Sequence, residues 1–227
     1  MADYDETIWS TGDVITAALL NHGETQYATA KAEVELGNWV IPASAIETGT
    51  FDVTLLPVTI KQLLLDAGSG TPRLSNGCAS LVQRETATNK QNYASCDFDH
   101  VVNEYIQWRV LLPDSYNGNP FTARFVWSAG SGSGQVRWGI QMQCVADDGA
   151  IDAAWGTAVE INDTLGSVGD LMVSDVTGNI TPSGTPAAGK YLFVQVYRDA
   201  ADTGNDTLAS DAYLMAVKLE LSLGYSD

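Results

Sequence analysis

From Asn92 onward, apolar and polar residues alternate with a period of two in one segment after another. Successive side chains leave a strand on opposite faces, so this spacing predicts half-buried β-strands. Eight are expected, at 92–98, 104–112, 121–128, 135–145, 157–162, 171–176, 190–198 and 211–221. Ile106, Trp108, Val110 and Leu112 share one face; so do Phe121, Ala123, Phe125 and Trp127, and again Val136, Trp138, Ile140, Met142 and Cys144. In the last strand, unbroken alternation places Tyr213, Met215, Val217, Leu219 and Leu221 inward, with Lys218 and Glu220 outward. Turn formers separate the runs at 113–120, 130–134, 147–149 and 181–189,. Eight strands with one apolar face each require two packed sheets. The expected fold class is therefore all-β, an eight-stranded jelly-roll-like sandwich over residues 72–227.

The preceding residues read differently. Residues 26–71 form a small β-rich region with short strands at 39–41, 51–56 and 59–65, punctuated by Pro42 and Pro57,. The stretch 27–36 reads equally as helix or strand, and 68–72 reads as a linker. Residues 1–25 contain a loop that enters a short helix, capped by Ser10, Asp13 or Thr16 and stopped by Asn21 and Gly23,. Val14, Ile15, Ala18 and Leu19 give that helix one apolar face, and it is too short to stand alone, so it is expected to dock.

Composition narrows the functional classes. A chain of 227 residues, 45% of them hydrophobic, can bury a substantial core. Its 28 Asp and Glu against 11 Lys and Arg give a net charge of −17, which repels nucleic-acid phosphates and anionic membranes,. No nucleic-acid partner and no membrane insertion are expected. The acidic amino terminus lacks an apolar signal region, so synthesis in a cytoplasm without general secretion is expected. Three cysteines lack metal-ligand spacing; Cys96 and Cys144 fall in phase with core positions and read as small buried hydrophobes, with a disulfide as the alternative,.

No cofactor motif is present, and the two histidines, His22 and His100, accompany no nucleophile segment,. A non-enzymatic protein without cofactors is therefore expected, with a hydrolase built on two paired carboxylates as a minor alternative. Asp199, Asp202 and Asp206 offer oxygens that a cation would accept, set against a solvated turn; no metal site is assigned. Among six tryptophans, Trp108, Trp127 and Trp138 share the core phase. Trp155, in a loop, is the candidate for stacking on a glycan, with Trp9 and Trp39 of the amino-terminal part also outside the core phase.

The segment Ile8-Trp-Ser-Thr-Gly-Asp-Val-Ile-Thr-Ala-Ala-Leu-Leu-Asn21 resembles the Trp-x-x-Gly-Asp-x-Ile-Thr-Ala opening of tailed-bacteriophage fibre and other virion proteins. Its matching positions are Trp9, Gly12, Asp13, Ile15, Thr16, Ala17, Leu20 and Asn21. A second likeness runs through 72–80, 85–90, 96–99, 110–118, 196–199 and 206–211, and is similar to a β-sandwich domain of phage structural proteins. The resemblance implies a non-enzymatic virion structural protein, a short fibre or decoration protein of head, neck or tail. It would be a homotrimer contacting other virion proteins, made in the host cytoplasm, with those eight positions docking it to the particle. The alternative is a carbohydrate-binding module that recognises a host glycan. Any partner of the sandwich is expected at the loop 199–210 or on the apolar-poor face beside it.

Overall fold

The computed structural model describes residues 59–223, and within them the period-two segments become eleven strands. These are β1 (Thr59–Asp66), β2 (Thr71–Pro72), β3 (Ala79–Glu85), β4 (Asn92–Phe98), β5 (Glu104–Leu111), β6 (Thr122–Ala129), β7 (Gln135–Val145), β8 (Val159–Thr164), β9 (Met172–Val173), β10 (Tyr191–Arg198) and β11 (Ala212–Leu223). They form two antiparallel sheets. One runs β3-β4-β11-β6-β9, with β1 also on β11; the other runs β2-β5-β10-β7-β8. The all-β sandwich is therefore present: β4 to β11 match the eight strands expected of it, β1 matches the strand expected at 59–65, and β2 and β3 are additional.

The sandwich begins earlier than Pro72. β1 pairs with β11 along its whole length, and the chain divides into Met1–Pro57 and Val58–Asp227. The stretch 68–72 is not a linker. Ala67–Ser69 is a 3₁₀ turn whose Gly68 N–H donates to the Asp66 carboxylate at 2.7 Å, and Thr71–Pro72 pairs with β5. Burial of Leu65 and Ala67 in the core anchors this entry. The expected helix, its eight docking positions and the strands expected before Thr59 lie outside the described residues.

The core forms where the inward rows of both sheets meet. Phe121, Ala123, Phe125 and Trp127 are fully buried, as are Val136, Trp138, Ile140 and Met142. Trp138 sits at the centre, edge-on to Phe98 at 5.2 Å and Trp127 at 6.2 Å, and stacked on Phe125 at 5.6 Å. Such pairs contribute about 0.5–1.5 kcal/mol each beyond their buried area. The Trp127 indole donates to Asp163 at 2.7 Å. Cys78, Cys96 and Cys144 are buried thiols, in agreement with the small-hydrophobe reading of Cys96 and Cys144.

One face assignment is corrected. A bulge between Leu214 and Ala216 inserts Met215 as an extra residue against β6, and a one-residue slip moves every later side chain to the other face,. Ala212 and Leu214 therefore point inward before the bulge, and Val217, Leu219 and Leu221 after it. Tyr213 is not a core residue. Its ring carries the Arg84 guanidinium at 3.8 Å, and Arg84 in turn donates to Asp97 and Ser95 at 2.6 Å.

The loop 199–210 is held by one buried side chain. Arg198 ends β10 in the inward phase and is fully enclosed. Its Nε and Nη2 donate to the two Asp206 oxygens at 2.9 and 2.7 Å, Nη1 to the carbonyls of Phe98 and Ser210, and Nη2 also to that of Leu208. Each of its five N–H groups is used. Removing one partner strands a buried charge, so Arg198→Met is expected to cost about 3–5 kcal/mol. The double change Arg198→Met with Asp206→Leu should recover much of that loss. Urea denaturation of the three proteins checks this; equal midpoints for wild type and Arg198→Met would show that the clasp is dispensable.

Candidate functional site

Residues opposite one another in a sheet share a face, so the ladder of the five-stranded sheet defines its outer surface row by row. Tyr105, Tyr197, Gly139 and Glu160 form one row; Gln107, Gln195 and Gln141 the next; then Arg109, Phe193 and Gln143; then Leu111, Tyr191 and Val145. The outward phase of β10 is thus Tyr191, Phe193, Gln195 and Tyr197, opposite to the buried Leu192, Val194 and Val196. Along it Tyr191 is exposed and Phe193 half-buried, while Gln195, Gln143 and Tyr197 are covered by their neighbours.

The two ends of this face differ in chemistry. At the Tyr197 end the side chains are committed to one another. The Tyr197 hydroxyl donates to Glu160 at 2.6 Å, and Arg137 donates to the same carboxylate at 2.6 Å. Burial first, then the Glu160 carboxylate, pushes the Tyr197 phenol well above its ordinary range. Its ring lies across Gly139, where a Cβ would overlap the ring atoms, so this row requires glycine. Arg73 covers the Tyr105 ring at 4.4 Å,. In the middle, the Gln107 amide donates to Gln195 at 2.7 Å.

The Tyr191 end is open. A groove of about 530 Å³ is lined by Tyr191, Phe193, Val145, Ile151 and Gly189, and by the turn Ala146-Asp147-Asp148-Gly149. Tyr191 and Phe193 meet edge to face at 5.2 Å, with Tyr191 exposed. The turn closes with Gly149 N–H on the Ala146 carbonyl at 3.0 Å and takes Asp148 through φ 59°. Asp147 and Asp148 are exposed at its tip. Flat apolar rings next to free acceptors are what a polyhydroxylated ring, apolar on its C–H face, can use.

The residues singled out from sequence fall elsewhere. Trp155 is half-buried in the segment after the turn, where Gly156 N–H donates to Met142 and Ser183 donates to the Ala154 carbonyl; it does not line the groove. The three aspartates suggested for a cation are taken by arginine and amide donors. Asp206 holds Arg198; Asp199 accepts Asn103 Nδ2 at 2.7 Å; Asp202 meets Arg137 at 3.2 Å and Asn205 Nδ2 at 2.8 Å. The Asn205 amide, chiefly, holds the Asp202 carboxyl below its ordinary range. Guanidinium groups supply here the positive charge that a cation would bring, so the loop is a clasped turn and the cation suggestion is set aside.

Tyr191 and Phe193 were not among the candidates, because a half-buried strand does not by itself mark its outward residues as a site. The available signal was two aromatic rings in the outward phase of a central strand.

A second acidic cluster surrounds His100. Its Nδ1 lies 3.3 Å from Asp211, with Asp99 close by, and the Asp99 carboxylate is already engaged by the N–H groups of Val101 and Val102 at 2.6 and 3.0 Å. Glu104 accepts the Asp99 N–H at 2.8 Å. Burial, and then the charges of Asp99 and Asp211, hold the Glu104 carboxyl above its usual range. A carboxyl whose folded pKa is raised loses stability as pH climbs through its unfolded value, near 4.3, toward the raised one. Glu104→Gln, which keeps an oxygen acceptor, is therefore expected to raise stability at neutral pH, with the gain vanishing below about pH 4. Thermal unfolding of both proteins across that range checks this; a gain that persists in acid would contradict it.

The site thus belongs to a two-sheet antiparallel sandwich carrying an aromatic and amide surface on one outer face. No protein-family model and no curated protein matches the chain. Among solved structures it is similar to a family 35 carbohydrate-binding module from Clostridium thermocellum, at 15% identity over 70% of this chain and 97% of that one, TM-score 0.38. It is also similar to the CBM22-2 xylan-binding domain of Paenibacillus barcinonensis Xyn10C, at 11% identity over 70% and 98%, TM-score 0.44. A cycloisomaltooligosaccharide glucanotransferase from Paenibacillus sp. matches at 10% identity, TM-score 0.40; the match covers 68% of this chain but 18% of that enzyme's length.

Proposed function

We propose that the sandwich is a non-catalytic glycan-binding module whose ligand lies along the outer face of the five-stranded sheet and ends in the Tyr191–Phe193 groove. The observation that carries this reading is the exposed Tyr191 ring set against the half-buried Phe193, beside the uncommitted carboxylates of the turn 146–149. The rings take the C–H face of a pyranose, and Gln107, Gln141 and the turn take its hydroxyls. A hydrolase would hold one carboxyl protonated in an enclosed apolar wall and a second across the scissile bond. Asp147 and Asp148 are exposed neighbours on one turn, an arrangement suited to hydrogen bonding.

A glycan array probed with the full chain should give discrete hits. Tyr191→Ala and Phe193→Ala should each weaken those hits about tenfold, roughly 1.4 kcal/mol, with the circular dichroism of the wild type retained. An array without hits, or hits indifferent to both changes, would refute the module.

The setting we propose is a bacteriophage particle, in which the module reads a host-surface glycan. The likeness of Ile8–Asn21 to virion-protein openings supports this. Three copies per assembly and attachment through Trp9, Gly12, Asp13, Ile15, Thr16, Ala17, Leu20 and Asn21 are part of the same proposal. Mass photometry should then give a trimer, and the chain should co-sediment with particles until residues 8–21 are deleted. A monomer that never accompanies particles would remove the setting while leaving the module intact.

A further inference from the structure

Resting on the glycan-binding reading, we infer that the groove beside Tyr191 selects a sugar bearing a protonated amine over its neutral counterpart. The lining explains why. It combines the exposed Tyr191 and the half-buried Phe193 with Asp147 and Asp148, and it contains no lysine or arginine. Neither carboxylate accepts a hydrogen bond or an ion pair among the described residues, unlike the aspartates of the loop 199–210.

The neighbouring charges reinforce the sign. Asp114, on the segment after β5, places a carboxylate oxygen 3.9 Å from where a Cβ would stand on Gly189, itself a groove residue. Lys190, between Gly189 and Tyr191, is turned away and donates to the Thr185 carbonyl at 2.7 Å. Arg109, opposite Phe193 in the same row, is engaged by the neighbouring strand and donates to Thr71 at 3.0 Å. An ammonium in the groove would thus meet acidic groups from the turn after β7 and, near Gly189, from the segment after β5, with no fixed cation among the lining residues.

Two physical effects then favour the charged ligand. A cation within about 6 Å of an aromatic centroid is drawn to the ring face, more strongly as water is excluded. Ammonium-to-carboxylate hydrogen bonds are shorter and stronger than those from a neutral hydroxyl. The chain's net charge of −17 adds a long-range attraction, but that part is diffuse and screened by salt,. The groove contributes a local preference that the diffuse field does not.

The test is titration calorimetry of the full chain with a glucosamine tetramer and with its fully N-acetylated form, at mildly acidic pH and about 0.15 M salt, where screening is strong beyond roughly 8 Å. The amine tetramer is expected to bind about tenfold or more tightly than the acetylated one. The double change Asp147→Asn with Asp148→Asn should erase that difference, bringing the two tetramers to one affinity. Asp170→Asn, an exposed aspartate outside the groove, should leave the difference in place. Equal affinities, a failure of both tetramers to bind, or an Asp170→Asn effect as large as that of the groove pair would overturn the amine preference. The glycan-binding reading fails separately, on the array and its Tyr191 and Phe193 variants.

Discussion

The sandwich depends on a guanidinium with nowhere to go. Arg198 points into the core at the end of β10, and a buried charge is tolerated only when its donors are answered. The answers come from three places: the Asp206 carboxylate, the end of β4 at Phe98, and the stretch leading into β11 at Leu208 and Ser210. β10 belongs to one sheet, while β4 and β11 belong to the other. One side chain therefore sets how the sheets meet at that end, and it explains why an acidic loop in a chain of net charge −17 is ordered.

The same arrangement divides the outer face of the five-stranded sheet. Near the clasp, Arg137 ties Glu160 to Asp202, and Tyr197 and Gly139 lock together, so that end is a finished hydrogen-bonded surface. At the far end, the turn after β7 has no such partner and leaves rings and carboxylates open. Rigidity at one end and availability at the other follow from a single strand, β10, whose inward residues build the core and whose outward residues build the site.

Much of this could be read from residue order, for a physical reason. Along β5, β6 and β7 every second residue turns to the dry side of its sheet, and the fully buried Trp127 and Trp138 sit where that spacing puts them. What escaped depended on partners distant in sequence. The bulge at Met215 exists only against β6, so Tyr213 looks inward by spacing and is outward in the fold. Thr71–Pro72 looks like a linker because glycine and proline surround it, yet it pairs with β5. Of the site, Tyr191 and Phe193 stand in the sequence in the outward phase of a strand, but nothing local says that the turn 146–149 closes a groove beside them. Arg198 carried a plainer message: an arginine in phase with Leu192, Val194 and Val196 requires a buried carboxylate, and Asp206 was eight residues away.

The three thiols give the fold an internal clock. Cys78 precedes β3, Cys96 lies in β4 and Cys144 in β7, and all three are closed to solvent. An alkylating reagent can reach each sulfur only when its own stretch opens, so the rates of modification measure local breathing at two places, the Cys78 and Cys96 thiols lying against one another,. Cys144, near the groove end of β7, reports on the wall behind the candidate site. Cys78 and Cys96 report on the opposite sheet and its approach.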